Sequence, residues 1–215
     1  MSVKDEFNKI IAAGIYPLFL LGIMWVVFIL DNYLELNLAD KYGLVPRTEH
    51  GLIGIITMPF IHGSYNHIIS NSIPFLVSGW CIMYFYRPVA LQVILLIYLG
   101  TGVCMWVVAR PDIHIGASGL VYGFVSFVLF SGFLRRNRTL LAIAFMMVAL
   151  YGGLVWYALP WAASLSISWE GHLCGAIIGY LCAYILRHNG PPDDGVHTDE
   201  DETPPDWWVQ ATVLA

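Results

Sequence analysis

The sequence predicts an all-α membrane protein, a bundle of six transmembrane helices with both termini on the cytoplasmic side. Three observations lead there. Of the 215 residues, 58% are hydrophobic and only 12% charged, where a soluble domain carries about 25% charged residues; the mean hydropathy is +0.69. The charged positions leave six uncharged windows, 10–30, 50–86, 88–109, 113–134, 139–169 and 171–186, and a spanning helix needs about 20 apolar residues. With the amino terminus inside, six spans put Lys4, Lys9, Arg87, Arg135, Arg136, Arg138 and Arg187 on one side and only Lys41, Arg47 and Arg110 on the other, the sorting that the positive-inside rule describes. Helices satisfy their own backbone in lipid, which a lone strand or open loop does not. Disorder, collagen-like repeats and a disulfide scaffold are excluded by the same composition.

Each element follows from the charges and helix breakers. Residues 1–11 hold Lys4, Asp5, Glu6 and Lys9 and form an amino-terminal cytoplasmic segment; no A-x-A-like cleavage site follows, so the first span, 12–30, is expected to stay. Window 50–86 would run about 55 Å as one helix. Gly51, Gly54, Pro59 and Gly63 interrupt its first third, so 51–61 reads as an apolar segment in the membrane interface ahead of a second span at 64–86. The third and fourth spans fill 88–109 and 113–134. The fifth is expected to run to Leu159 and stop at Pro160, followed by a polar-spotted outer loop at 161–169 and a sixth span ending before Arg187. The core is thus 12–188. Residues 189–215 carry seven of the fifteen carboxylates, no Lys or Arg, and the pairs Pro191-Pro192 and Pro204-Pro205, the composition of a disordered, solvated tail. Trp207-Trp208 stands near its end. No basic footprint for nucleic acid is present. Cys81, Cys104, Cys174 and Cys182 all lie inside apolar windows without CxxC spacing and read as small buried hydrophobes.

Depth arithmetic places the polar residues. Ser118 lies 17 residues before Arg135, Asn71 16 before Arg87 and His172 15 before Arg187, or about 26, 24 and 23 Å above the inner charge layer at 1.5 Å per residue. A hydroxyl, an amide and an imidazole therefore reach one level near the outer surface from three helices, with His67 one turn above Asn71. Such groups are costly in lipid and face the bundle interior. A serine becomes a nucleophile beside a base, and His172 is the histidine placed deep in another span at that level. Gly119 and Gly123 on one helix and Gly171, Gly175 and Gly179 on the other form small-residue faces that let two backbones approach, which would bring the Ser118 hydroxyl to the His172 ring. Tyr122, four residues after Ser118, shares its face and can pack on the imidazole. Glu170 points elsewhere on the helix and Asp112 lies in a loop, so a Ser–His dyad is expected rather than a triad. Asn71, His67 and the Ser118 backbone N–H are the candidate oxyanion donors. His62 and His67 are five apart, unlike i, i+4 zinc ligands, and no H-E-x-x-H occurs; no metal and no cofactor is expected.

His62-x4-His67-x3-Asn71, then Gly116-x-Ser118-Gly119 with Tyr122, then Gly171-His172-x-x-Gly175-x-x-x-Gly179, in that order on the second, fourth and sixth spans, resembles the rhomboid intramembrane serine proteases over residues 12–187. The resemblance implies proteolysis of single-span membrane proteins near the outer half of the bilayer. It implies Ser118 as nucleophile, His172 as general base and acid, Asn71, His67 and the Ser118 backbone as oxyanion donors, and Gly175 as a close-packing position. Transmembrane protein substrates and the lipid bilayer are the implied partners, and a bacterial inner membrane the implied location. Substrates would enter between helices, with the fifth span and loop 161–169 as a moving cover. Many relatives carry a Trp-Arg pair in the first outer loop; here Pro46-Arg47 stands instead. The alternative reading is a non-catalytic rhomboid-like scaffold or retention factor. A transporter fits less well, because the polar cluster sits at one end of the bundle rather than at the midplane.

Overall fold

The computed structural model describes residues 3–150 and 168–190, and apart from one isolated antiparallel bridge, Leu44 with His114, the regular structure among them is helical. Helix α1, Val3–Leu34, is longer at both ends than the predicted first span. It begins within the charged segment, where Glu6 and Lys9, three residues apart, form an ion pair at 3.9 Å on the favoured i, i+3 spacing. It packs on α4, Tyr65–Phe85, through a small-on-large contact: Gly14 lies under the Trp80 ring, and the Trp80 indole N–H donates to the Ile10 carbonyl at 2.8 Å.

Between them, residues 51–61 form a chain of short turns. After α2, Leu38–Tyr42, come a 3₁₀ turn at His50–Leu52, the single-turn α3, Gly54–Thr57, and a second 3₁₀ turn at Met58–Phe60. The glycines that break the pattern in sequence are where the chain crosses itself. A Cβ at Gly51 would lie 1.9 Å from the Val45 carbonyl oxygen, and one at Gly54 2.2 Å from the Leu44 Cα.

The remaining helices are α5, Ala90–Val108, α6, Ser118–Leu134, α7, Arg138–Leu150, and α8, Trp169–Ile185. Helices α1, α4 and α5 are long and apolar enough to cross a membrane; α6 and α8 have 17 residues each. Outward faces are apolar too, with Phe19, Ile69, Leu95 and Val103 exposed. This surface suits lipid, and the protein is a membrane protein. Helix α6 is the centre of the bundle: residues 119–128 are buried without interruption, and Phe124 and Phe127 join Phe75 of α4 and Ile97 of α5 in the core.

One further expectation changes. Loop 161–169 does not reach Trp169, which already belongs to α8; Ser168 caps that helix, its hydroxyl accepting the Gly171 N–H at 3.4 Å, because a serine oxygen satisfies an N–H that the first helical turn leaves unpaired. Cys104 of α5 and Cys174 of α8 are free thiols in one hydrophobic cluster, as small buried hydrophobes should be, and their sulfurs face each other. The expected course of the fifth span to Leu159 and Pro160, the moving cover, and the acidic tail from Pro191 to Trp207-Trp208 lie outside the described residues.

Candidate active site

The site lies at the amino-terminal ends of α4, α6 and α8. Ser118 opens α6, half-buried, behind Gly116, whose φ of +102° is a conformation that glycine adopts without strain. The sharp bend does more than turn the chain. A Cβ at Gly116 would lie 2.4 Å from His67 Nε2 and 3.6 Å from Asn71 Nδ2, so the missing side chain is what lets α4's polar groups come up beside Ser118. The bend is held from below by the Gly116 N–H donating to the Met58 carbonyl at 2.8 Å.

Helices α6 and α8 run parallel and almost touch. A Cβ at Gly119 would sit 3.2 Å from the Gly171 carbonyl oxygen, one at Gly175 2.0 Å from the Gly119 carbonyl oxygen, and one at Gly179 2.1 Å from that of Gly123. The seam is dressed by the Ser126 hydroxyl donating to the Ala176 carbonyl at 2.6 Å. Across it the Tyr122 and His172 rings stack, with centroids 4.1 Å apart and planes 9° from parallel. Ser118 is one turn before Tyr122 on the same face, and Gly119 abuts the residue before His172. Ser118 and His172 therefore flank the same seam, with the imidazole stacked flat on Tyr122.

On the opposite side, Asn71 is 6% exposed and its Nδ2 has no hydrogen-bond partner. An amide donor left unsatisfied away from water costs about 1–3 kcal/mol, so Nδ2 is open to an acceptor. His67 lies edge-on to His62 at 4.9 Å. His62 precedes α4, is 2% exposed, and both its ring nitrogens lack hydrogen-bond partners; burial first, and the adjacent His67 second, push its pKa down to about 4, keeping it neutral. Among the described residues no group of three or more His, Cys, Asp or Glu side chains is placed to hold a metal ion.

Several structural residues went unread in the sequence. Arg47, at φ 59°, donates through Nη1 to the Val107 and Ala109 carbonyls at 3.1 and 2.7 Å and through its backbone N–H to the Trp106 carbonyl at 3.0 Å; the Trp106 indole N–H donates back to the Thr48 carbonyl at 3.0 Å. The segment before α4 is thus anchored by an arginine on the carbonyl end of α5, whose last C=O groups have no helical partner and carry negative partial charge. Tryptophan and arginine do meet here, but the tryptophan comes from α5. Arg110, His114 and Ser168 also meet beside Glu170, and no spacing in the sequence signals them.

Fold and site together define a helical membrane protein with serine, histidine and asparagine gathered where three helices begin. The family model for the Rhomboid domain matches residues 49–189, and the chain belongs to the rhomboid family. Proteins described as uncharacterized in Mycobacterium bovis and Mycobacterium tuberculosis are each 30% identical to it over 82% of this chain and 76% of theirs. A third, from Mycobacterium leprae, is 31% identical over 80% of this chain and 71% of its own.

Proposed function

We propose that this protein is an intramembrane serine endopeptidase that cleaves single-span membrane proteins with a Ser118–His172 dyad. The observation that supports the reading is the α6–α8 seam: glycine-on-carbonyl contacts bring the two helices close, and the flat Tyr122–His172 stack lies one turn from Ser118. His172 takes the proton as Ser118 Oγ attacks the peptide carbonyl, then returns it to the leaving amine. The oxyanion is met by Asn71 Nδ2, the His67 ring and the Ser118 backbone N–H, which sits in the unpaired first turn of α6. Tyr122 orients the imidazole. Gly116, Gly119 and Gly175 hold the distances, and His62 packs behind His67.

The chain then has a core of six spans over 12–188, between a short amino-terminal segment at 1–11 and an acidic tail at 189–215. Both termini are cytoplasmic and the dyad lies near the outer side of a bacterial inner membrane. The mycobacterial relatives and the distribution of Lys and Arg support that placement. Incubation of the purified protein with a single-span reporter, wild type beside Ser118→Ala, tests the reading. Cleavage by the wild type alone is expected; no cleavage by either would refute it in favour of a non-catalytic scaffold or retention factor.

A further inference from the structure

Two residues before His172, α8 carries a buried carboxylate that the dyad does not use. The Glu170 side chain is 8% exposed and pairs with Arg110 of the α5–α6 loop, Nε to Oε1 3.3 Å, while the Arg110 side chain is 30% exposed. A second link runs beside the first. His114, 2% exposed and in the same loop, has Nε2 3.0 Å from the Arg110 carbonyl and Nδ1 2.7 Å from the Ser168 hydroxyl. A carbonyl only accepts, so Nε2 donates to it, and Nδ1 shares a hydrogen bond with the Ser168 hydroxyl. Ser168 Oγ in turn caps the Gly171 N–H. The loop is itself fixed by its bridge to Leu44, with N–H to O distances of 3.0 and 2.9 Å.

One ion pair and these hydrogen bonds close a ring: Arg110 to Glu170, along the first turn of α8 to Ser168, to His114, and back to the Arg110 carbonyl. The ring ties the loop that ends in Gly116 and Ser118 to the helix turn that carries His172. We propose that Arg110, Glu170, His114 and Ser168 are positioning residues that set the height and rotation of His172 against Ser118. This rests on the dyad assignment and deepens it. The glycine seam sets how closely α8 approaches α6; the ring sets where along that seam α8 stops.

The unequal burial of the pair makes the proposal testable. Removing Glu170's charge leaves a guanidinium already in reach of water, whereas removing Arg110's leaves a carboxylate buried with no cation, which is the costlier state. The experiment measures the rate at which a small serine-directed fluorophosphonate labels Ser118, beside the thermal midpoint, for wild type, Glu170→Gln, Arg110→Gln, Arg110→Lys and the Arg110→Gln/Glu170→Gln double variant in detergent. A small probe needs no substrate helix to enter. Since a misplacement of about 1 Å costs on the order of 10²-fold, Arg110→Gln should label roughly 10- to 100-fold more slowly, and Glu170→Gln less so. The double variant should recover to the Glu170→Gln rate, and Arg110→Lys should stay near wild type. If Arg110→Gln does not fold, Glu170→Gln against wild type carries the test. Lowered thermal midpoints with unchanged labelling of the folded protein would overturn the positioning role and leave the dyad intact. A wild type that the probe does not label, or a Ser118→Ala variant that it does, would overturn the dyad and the positioning role together.

Discussion

Adding one methyl group at Gly175 tests the α6–α8 seam more directly than altering the dyad itself. In Gly175→Ala the new Cβ would lie 2.0 Å from the Gly119 carbonyl oxygen, 2.9 Å from its carbon and 3.2 Å from the Gly123 nitrogen. All three are backbone atoms in a buried helix, so no side chain can swing away. Ordinary contact begins at 3.4 Å, and α8 must retreat about 1.4 Å to reach it. His172 lies less than one turn from Gly175 and moves with it, and a displacement of about 1 Å costs on the order of 10²-fold in rate. Overpacking of this kind costs about 1–3 kcal/mol of stability as well. Initial rates of reporter cleavage and of fluorophosphonate labelling, at matched folded protein, should therefore both fall roughly 10²-fold in Gly175→Ala. The control is Gly22→Ala, where nothing lies within 4 Å of the new Cβ; helix propensity there favours alanine by up to about 1 kcal/mol, and activity should not change. Wild-type rates in Gly175→Ala would refute the argument that backbone contact across this seam sets the catalytic distance.

Four other outcomes follow from the same geometry. Asn71→Ala should lower kcat by roughly 10²–10³, the typical loss for one oxyanion donor, with little change in thermal midpoint because Nδ2 has no partner to lose; an unchanged kcat would leave Asn71 a packing residue. Arg47→Ala strips the carbonyls of Val107 and Ala109, at the end of α5 and just beyond it, of their charged donor and should cost about 1–2 kcal/mol, the low end for charged hydrogen bonds because Arg47 is exposed, with faster proteolytic nicking between α2 and α4; equal nicking would show that the anchor is idle. His62 protonates only near pH 4 when folded against 6.5 ordinarily, so the unfolded chain takes up the proton first and stability falls as pH drops through that window, by on the order of 3 kcal/mol. A His62→Gln variant with the same acid slope would refute that assignment. Finally, a helical peptide bond is shielded until its segment unwinds, and Gly lowers the unwinding cost by about 1 kcal/mol; a reporter span with Gly-Ala near its outer end should be cut faster than a Leu-rich one, and equal rates with binding controlled would show that unwinding is not limiting.

Much of this protein was legible along the chain because a helix converts residue number into height. Counting back from Arg87, Arg135 and Arg187 put Asn71, Ser118 and His172 at one level, and the structure finds all three near helix starts that meet. The four-residue glycine spacing foretold a close approach of α6 and α8 for the same reason: a 3.6-residue period puts every fourth residue on one face. Helix bounds were less legible, since charges at Lys4 to Lys9 mark where lipid ends and not where the helix does. What only the tertiary structure decided are contacts between segments with no local pattern to announce them. Arg47 reaches carbonyls about 60 residues away, His114 meets Ser168 54 residues on, and Cys104 meets Cys174 across 70. Periodicity records which face of a helix is turned inward, but nothing in a single helix specifies the residue it meets there; that choice is made by how all the helices pack at once.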